Sequence, residues 1–174
     1  KKIINFAKKI SAGVAYISTL SVAGFSDISN PKDLDENKLF IDQYLFKNIY
    51  LTTKYKAEVE ILEKIKNNEI SAKIFRIGNI MPRETDGVFQ TNVNDNAFLN
   101  KIRTCLQTRM VAKELLNYSI DLSPVDLVAK SIVILLNDNK KQTIYHIANN
   151  KYLTLKEITK NVKPELKIID ANTQ

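Results

Sequence analysis

A chain of 174 residues with 44% hydrophobic content can bury one ordinary core. Its formal charge of +7 is carried mostly by scattered lysines, arginine occurring only at Arg76, Arg83, Arg103 and Arg109, so a solvated exterior is expected and a nucleic-acid interface is not. The lone Cys105 excludes an internal disulfide, and no stretch approaches the roughly 18 apolar residues of a membrane span, so a reducing, cytoplasmic setting without membrane contact is expected.

Ile3, Ile4, Ala7 and Ile10 recur at helical spacing, and the alternation of apolar and basic residues over Lys1 to Lys9 suits a surface helix rather than a signal peptide. The apolar run from Gly13 to Ile17 then ends in Ser18, Thr19 and Ser21, the pattern of a buried parallel strand. Phe25 to Asn37 is polar and turn-rich and reads as a loop. A long helix is expected from Asn48 to Asn67, with Tyr55, Val59, Leu62 and Ile65 as its apolar stripe. Ala72 to Ile77 reads as the next strand, broken by the Gly- and Pro-containing loop Gly78 to Pro82. Strand, helix and strand in this order is the βαβ rhythm of a parallel sheet.

Arg83 to Asn94 reads as a polar excursion, and Ala97 to Leu106 as a helix. A further helix is expected over Pro124 to Leu136, with Ser123 as cap and Pro124 in its first turn. Thr143 to Ile147 is a short strand candidate, and Thr154 caps a last helix to Val162. No internal repeat or low-complexity linker marks a second domain.

Tyrosine four residues before lysine on a helix places an ammonium beside a phenol, where it favours the phenolate. With seven tyrosines, and lysine at about one residue in eight, roughly one such pair arises by chance, and this chain holds two: Tyr50 with Lys54, and Tyr152 with Lys156. Only the first opens a long helix downstream of a strand that ends in hydroxyls. Parallel α/β sheets bind ligands at the carboxyl ends of their strands, where Thr19 and Asn79 both fall. Thr19, Tyr50 and Lys54 converging there would form a carbonyl-polarising site.

These segments, Tyr16 to Gly24 with its strand-end hydroxyls and Tyr50 to Glu58 with its YxxxK spacing, resemble the extended short-chain dehydrogenase/reductase family. Ile74 to Arg83, Asp86 to Asn92 running into Asn96-Ala-Phe98, and Leu122 to Asp126 narrow the likeness to the terminal thioester reductase domains of nonribosomal peptide synthetases and to carboxylic acid reductases. The resemblance runs from Lys1 to Ile147 and is most specific between Arg76 and Phe98. It implies that Thr19 hydrogen-bonds the substrate carbonyl, that Tyr50 is the proton donor, and that Lys54 binds the cofactor ribose and keeps Tyr50 acidic. Ser18, Tyr50 and Lys54 are grouped as cofactor contacts, Ile77 and Gly78 approach the nicotinamide by backbone, and Asn79 faces the substrate. No metal is implied.

The implied fold is α/β: the C-terminal part of a Rossmann-like doubly wound parallel sheet with a small, mostly helical substrate-binding subdomain. Residues 1–82 would carry later βα units with the Thr, Tyr and Lys trio. Residues 83–174 would form mostly the substrate- and carrier-facing subdomain, with returning core elements. None of Gly13, Gly24, Gly78 and Gly87 forms the glycine-rich first βα turn that binds a pyrophosphate. The N-terminal dinucleotide-binding half, roughly a hundred or more residues, is therefore expected to be missing, and this chain alone to be inactive.

The implied activity is NAD(P)H-dependent reductive release of a peptidyl or acyl thioester as an aldehyde or alcohol. NADPH or NADH would be the cofactor, the phosphopantetheine arm of a carrier protein part of the substrate, and the carrier domain and upstream synthetase modules the partners. The same scaffold could serve a sugar-nucleotide epimerase or dehydratase, or a non-catalytic interaction module. Cys105 in an amphipathic helix reads as a small hydrophobe, His146 as a structural or surface residue, and Asp126 as a helix-start carboxylate. Arg83 and Gln90 flank a polar excursion that reads equally as a contact for a pantetheine arm or cofactor phosphate and as a solvated loop.

Overall fold

A computed structural model describes residues 2–24, 32–45, 48–160 and 166–170. In chain order the elements are α1 (Lys2–Lys9), β1 (Val14–Thr19), α2 (Ile49–Lys66), β2 (Ala72–Ile77), β3 (Ile80–Met81), α3 (Ala97–Thr108), β4 (Met110–Ala112) and β5 (Ser119–Asp121). They continue with β6 (Ser123–Pro124), α4 (Val125–Leu136), β7 (Ile144–Ile147), β8 (Tyr152–Thr154), α5 (Leu155–Thr159) and β9 (Lys167–Ile169). Residues 1–78 and 128–147 form one compact unit, and residues 79–127 and 148–174 another.

The first unit is built on a parallel sheet of order β1-β2-β7. Its central strand β2 has Ile74, Phe75 and Arg76 fully buried in succession, as a strand covered on both faces must. Ile4 of α1, Ile61 of α2, Ile74 and Ile144 form the apolar core, with Tyr16, Leu62, Ile65 and Ile70 packed against it. Phe75 and Tyr145, register partners on β2 and β7, stack with ring centroids 5.6 Å apart.

Local chemistry sets the ends of α2. The Asn48 side chain accepts from the Leu51 N–H at 3.1 Å, Lys64 and Lys66 oppose the carbonyl end, and Asn68 takes the left-handed conformation (φ 55°) just beyond it. The buried row of α2 is Leu51, Glu58 and Ile61, not the expected Tyr55, Val59, Leu62 and Ile65, whose members are half-buried. A carboxylate lies in that row, and hydrophobic periodicity does not count a carboxylate as buried.

Thr19 caps a 3₁₀ turn, Leu20–Ala23, that packs on α2. Gly24 ends the turn at φ +60°, and a Cβ placed there would stand 2.6 Å from the Tyr44 carbonyl oxygen. Gly24→Ala in the full-length protein is therefore expected to destabilise it by about 1–3 kcal/mol, read from urea unfolding. A neutral result would show that the segment around Tyr44 yields freely.

The second unit carries, beside its helices, three two-stranded ladders: β3 with β6, β4 with β9 (both parallel), and β5 with β8 (antiparallel). The subdomain that the resemblance implies as mostly helical thus mixes helices with short strands, and strands of two or three residues are too short to show alternation in the sequence. Ile80 and Met81, expected in a loop, pair with Ser123 and Pro124. Ser123 is consequently not a helix cap: its hydroxyl donates to Asp121 and accepts from the Asn149 N–H, and α4 starts at Val125. The last helix has the expected cap, Thr154, in a reciprocal capping box with Glu157. Phe25 to Pro31 of the expected loop, and the stretch from Asn161 to Val162, lie outside the described residues. Among the described residues no helix is long and apolar enough to cross a membrane.

Candidate active site

β1 and β2 run parallel in register, so Thr19 and Ile77 end side by side at the carboxyl edge of the sheet. Thr19 Oγ1 accepts from the Ser21 N–H at 3.2 Å, which leaves the hydroxyl hydrogen to donate elsewhere. Tyr50 lies in the first turn of α2 and is 56% exposed, so its phenol reaches solvent. One turn on, Lys54 Nζ donates to the Ile17 carbonyl at 2.7 Å and stands 5.8 Å from the Tyr50 ring centroid and 5.3 Å from that of Tyr16. An ammonium carries three donors, so two remain for a ligand.

Thr19, Tyr50, Lys54 and Ile77 thus gather in one unit. Gly78 follows Ile77, and its N–H is engaged by the Ile147 carbonyl at 3.0 Å, so a ligand would meet other backbone atoms there. Ser18 departs from the expectation of a cofactor contact: its side chain is buried, and its hydroxyl donates to Glu58 at 2.5 Å. Asn79 belongs to the other unit, where its backbone N–H and side-chain amide both donate to Asp121, at 2.9 and 2.8 Å. The second amide hydrogen and the carbonyl of that side chain are not used in these bonds. The second YxxxK spacing dissolves, because Tyr152 is in β8 and Lys156 in α5.

Beneath the site lies a cluster that sequence reasoning missed. Arg76 and Glu58 form an ion pair with both side chains fully buried, Nη2 to Oε2 2.8 Å. Arg76 also donates to the Asp35 carbonyl (3.2 Å), the Lys38 carbonyl (3.1 Å) and Nε2 of His146 (3.2 Å). A charged residue inside the otherwise apolar run from Ile74 to Ile77 was the available signal.

Burial, and next the Arg76 guanidinium, hold His146 below its ordinary value of 6.5, against the pull of Glu36, Glu58 and Asp35. Accepting from Arg76 at Nε2 requires a neutral ring protonated at Nδ1. The unfolded chain takes up this proton first, so the stabilisation is complete above pH 6.5 and is lost as pH falls through that value toward the folded one. Unfolding of the full-length protein between about pH 7 and pH 5 is expected to show this slope, and His146→Gln to flatten it. Equal slopes for the two would remove His146 as its source.

A family model described as male sterility protein, of NAD-binding type, matches residues 1–132. The chain belongs to that family. It is an extended short-chain dehydrogenase/reductase that resembles the reductase domains of nonribosomal peptide synthetases. A solved thiolation-reductase di-domain from an archaeal non-ribosomal peptide synthetase is 30% identical, with a TM-score of 0.86 over 96% of this chain and 37% of its own. The reductase domain of the aureusimine biosynthetic cluster is 26% identical, with a TM-score of 0.84 over 97% of this chain and 46% of its own. This extended short-chain dehydrogenase/reductase thus spans less than half the length of either structure. The dTDP-glucose 4,6-dehydratase of Bacillus anthracis, in complex with NAD, is 16% identical with a TM-score of 0.67 over 97% of this chain and 53% of its own, a likeness of fold alone. No curated protein matches the chain.

The donor set fits the nicotinamide and ribose end of a dinucleotide. It offers a phenol open to solvent and a lysine with two donors to give, at a sheet edge where such ligands bind.

Proposed function

We propose that the chain is the catalytic part of an NAD(P)H-dependent reductase that releases a carrier-bound peptidyl or acyl thioester as an aldehyde or alcohol. The observation that carries this reading is Lys54, set beside the Tyr50 ring and tied at 2.7 Å to the carbonyl of Ile17, which lies two residues before Thr19 on β1. The likeness to two reductase domains of peptide synthetase assembly lines supports the thioester rather than a nucleotide sugar as substrate.

When bound, the nicotinamide would supply the hydride. Thr19 donates its hydroxyl hydrogen to the substrate carbonyl oxygen and so orients and polarises it. Tyr50 gives its phenolic proton to the same oxygen as charge develops there, and collapse of the resulting hemithioacetal breaks its C–S bond, freeing the aldehyde and leaving the thiol on the carrier arm. Lys54 gives its two remaining donors to ribose hydroxyls and stabilises the phenolate left on Tyr50. Ile77 and Gly78 would line the edge where the ring lies, and Asn79 is the residue proposed for substrate contact from the other unit.

A dinucleotide-binding half is the partner this reading requires. Among the described residues β1 is the edge strand of its sheet, and Ile3, Phe6 and Ile10 in and just after α1 are 75%, 62% and 55% exposed, apolar surface suited to a further βα layer. The carrier domain and the upstream synthetase modules are the other proposed partners, with a phosphopantetheine arm bringing the thioester.

The full-length protein, given an acyl thioester on a phosphopantetheinylated carrier, is expected to oxidise NADPH or NADH and release an aldehyde or alcohol. Turnover of a nucleotide sugar instead, with no product from the thioester, would overturn the proposal.

A further inference from the structure

We propose that Arg76 and Glu58 are positioning residues, one buried pair that sets the rotation of α2 under Tyr50 and Lys54 and also the path of residues 35–38. The inference rests on the reductase reading only for its kinetic consequence.

Tyr50, Lys54 and Glu58 follow one another at intervals of four residues, so they lie on successive turns of one helix face. The last of the three is the anchor. Its carboxylate accepts from Ser18 on β1 at 2.5 Å and from Arg76 on β2, through Nε at 3.1 Å and Nη2 at 2.8 Å. An apolar contact at this place would let the helix slide or turn on the sheet, whereas directional bonds from two adjacent strands fix its register. The same register fixes Lys54, one turn earlier, on the Ile17 carbonyl.

The guanidinium of Arg76 has five N–H donors, and each meets an acceptor: Nε–H and one Nη2–H face Glu58, and the others face the Lys38 and Asp35 carbonyls and His146 Nε2. Between the two carbonyls, Glu36 accepts from the His146 N–H at 2.6 Å and from Gln142 Nε2 at 2.5 Å. Residues 35–38 are therefore held at three points, by Arg76 on β2, which also holds α2, and by His146 on β7 with the neighbouring Gln142. A buried ion pair is a costly way to fill a core, and an apolar pair of like volume often serves stability as well. What this pair adds is geometry, delivered one turn below the lysine of the site.

Arg76→Lys keeps the charge but not the planar fork, so it cannot hold Glu58 and both carbonyls at once. In the full-length protein it is expected to lower kcat for the carrier thioester by about tenfold to a hundredfold, with KM little changed. In the same protein without substrate, the Tyr50 ¹³Cζ resonance, followed as the phenol titrates, is expected to move in Arg76→Lys and in Glu58→Gln. Ser18→Ala, which removes one bond to Glu58 and little volume, is expected to move it in the same direction by less, and it decides the matter if the other two fail to fold. A folded Arg76→Lys with wild-type kcat and an unmoved Tyr50 titration would overturn the proposal, as would an unmoved titration in Ser18→Ala. If the wild-type protein reduces no thioester, the reductase reading fails, and the titration alone still decides whether the pair positions Tyr50.

Discussion

Tyr50→Phe in the full-length protein is expected to reduce thioester turnover by about 10² to 10⁴ while leaving the dissociation constant of the cofactor unchanged. The two expectations separate because the substitution removes one oxygen and little else. The aromatic ring remains beside Lys54, and the bond from Lys54 to the Ile17 carbonyl does not involve the phenol. Tyr50 is also 56% exposed, so losing its hydroxyl leaves no buried polar group unpaired. The rate loss is thus a direct measure of general acid catalysis. Wild-type turnover in Tyr50→Phe would exclude the phenol as the proton donor and leave the chemistry to Thr19. A parallel loss of cofactor binding would instead assign Tyr50 a share in holding the ribose.

How far such a site can be read from residues alone depends on which periodicity carries it. The βαβ frame was legible because β1, α2 and β2 are each long enough to show their own pattern, and the helix expected from Asn48 to Asn67 has those two residues as its caps. Thr19, Tyr50 and Lys54 were legible because a hydroxyl at a strand end and a four-residue interval on a helix are local features. Ser18, Glu58 and Arg76 meet only when two strands and a helix pack together. A hydrophobic pattern treats charged residues as surface, and so it passed over them. The ladders of the second unit escaped for a different reason, since β3 and β6 are two residues each and their pairing is set by residues more than 40 positions apart.

The largest loss of stability is expected from breaking the buried pair on one side only. Glu58→Ala leaves the Arg76 guanidinium buried and uncompensated, and leaves the Ser18 hydroxyl without its acceptor, which should cost about 3–5 kcal/mol. Urea unfolding of the full-length protein would measure it. Glu58→Met combined with Arg76→Met removes the stranded charge and keeps most of the volume, so it should recover much of that loss. Recovery should stop short of wild type, because the Asp35 and Lys38 carbonyls and His146 lose their donor whichever residue replaces the arginine. The shortfall of the double variant therefore separates these lost bonds, together with that from the Ser18 hydroxyl, from the cost of the stranded charge. A double variant no more stable than Glu58→Ala would mean that the grip on those residues, and not the buried charge, carries the energy of the cluster.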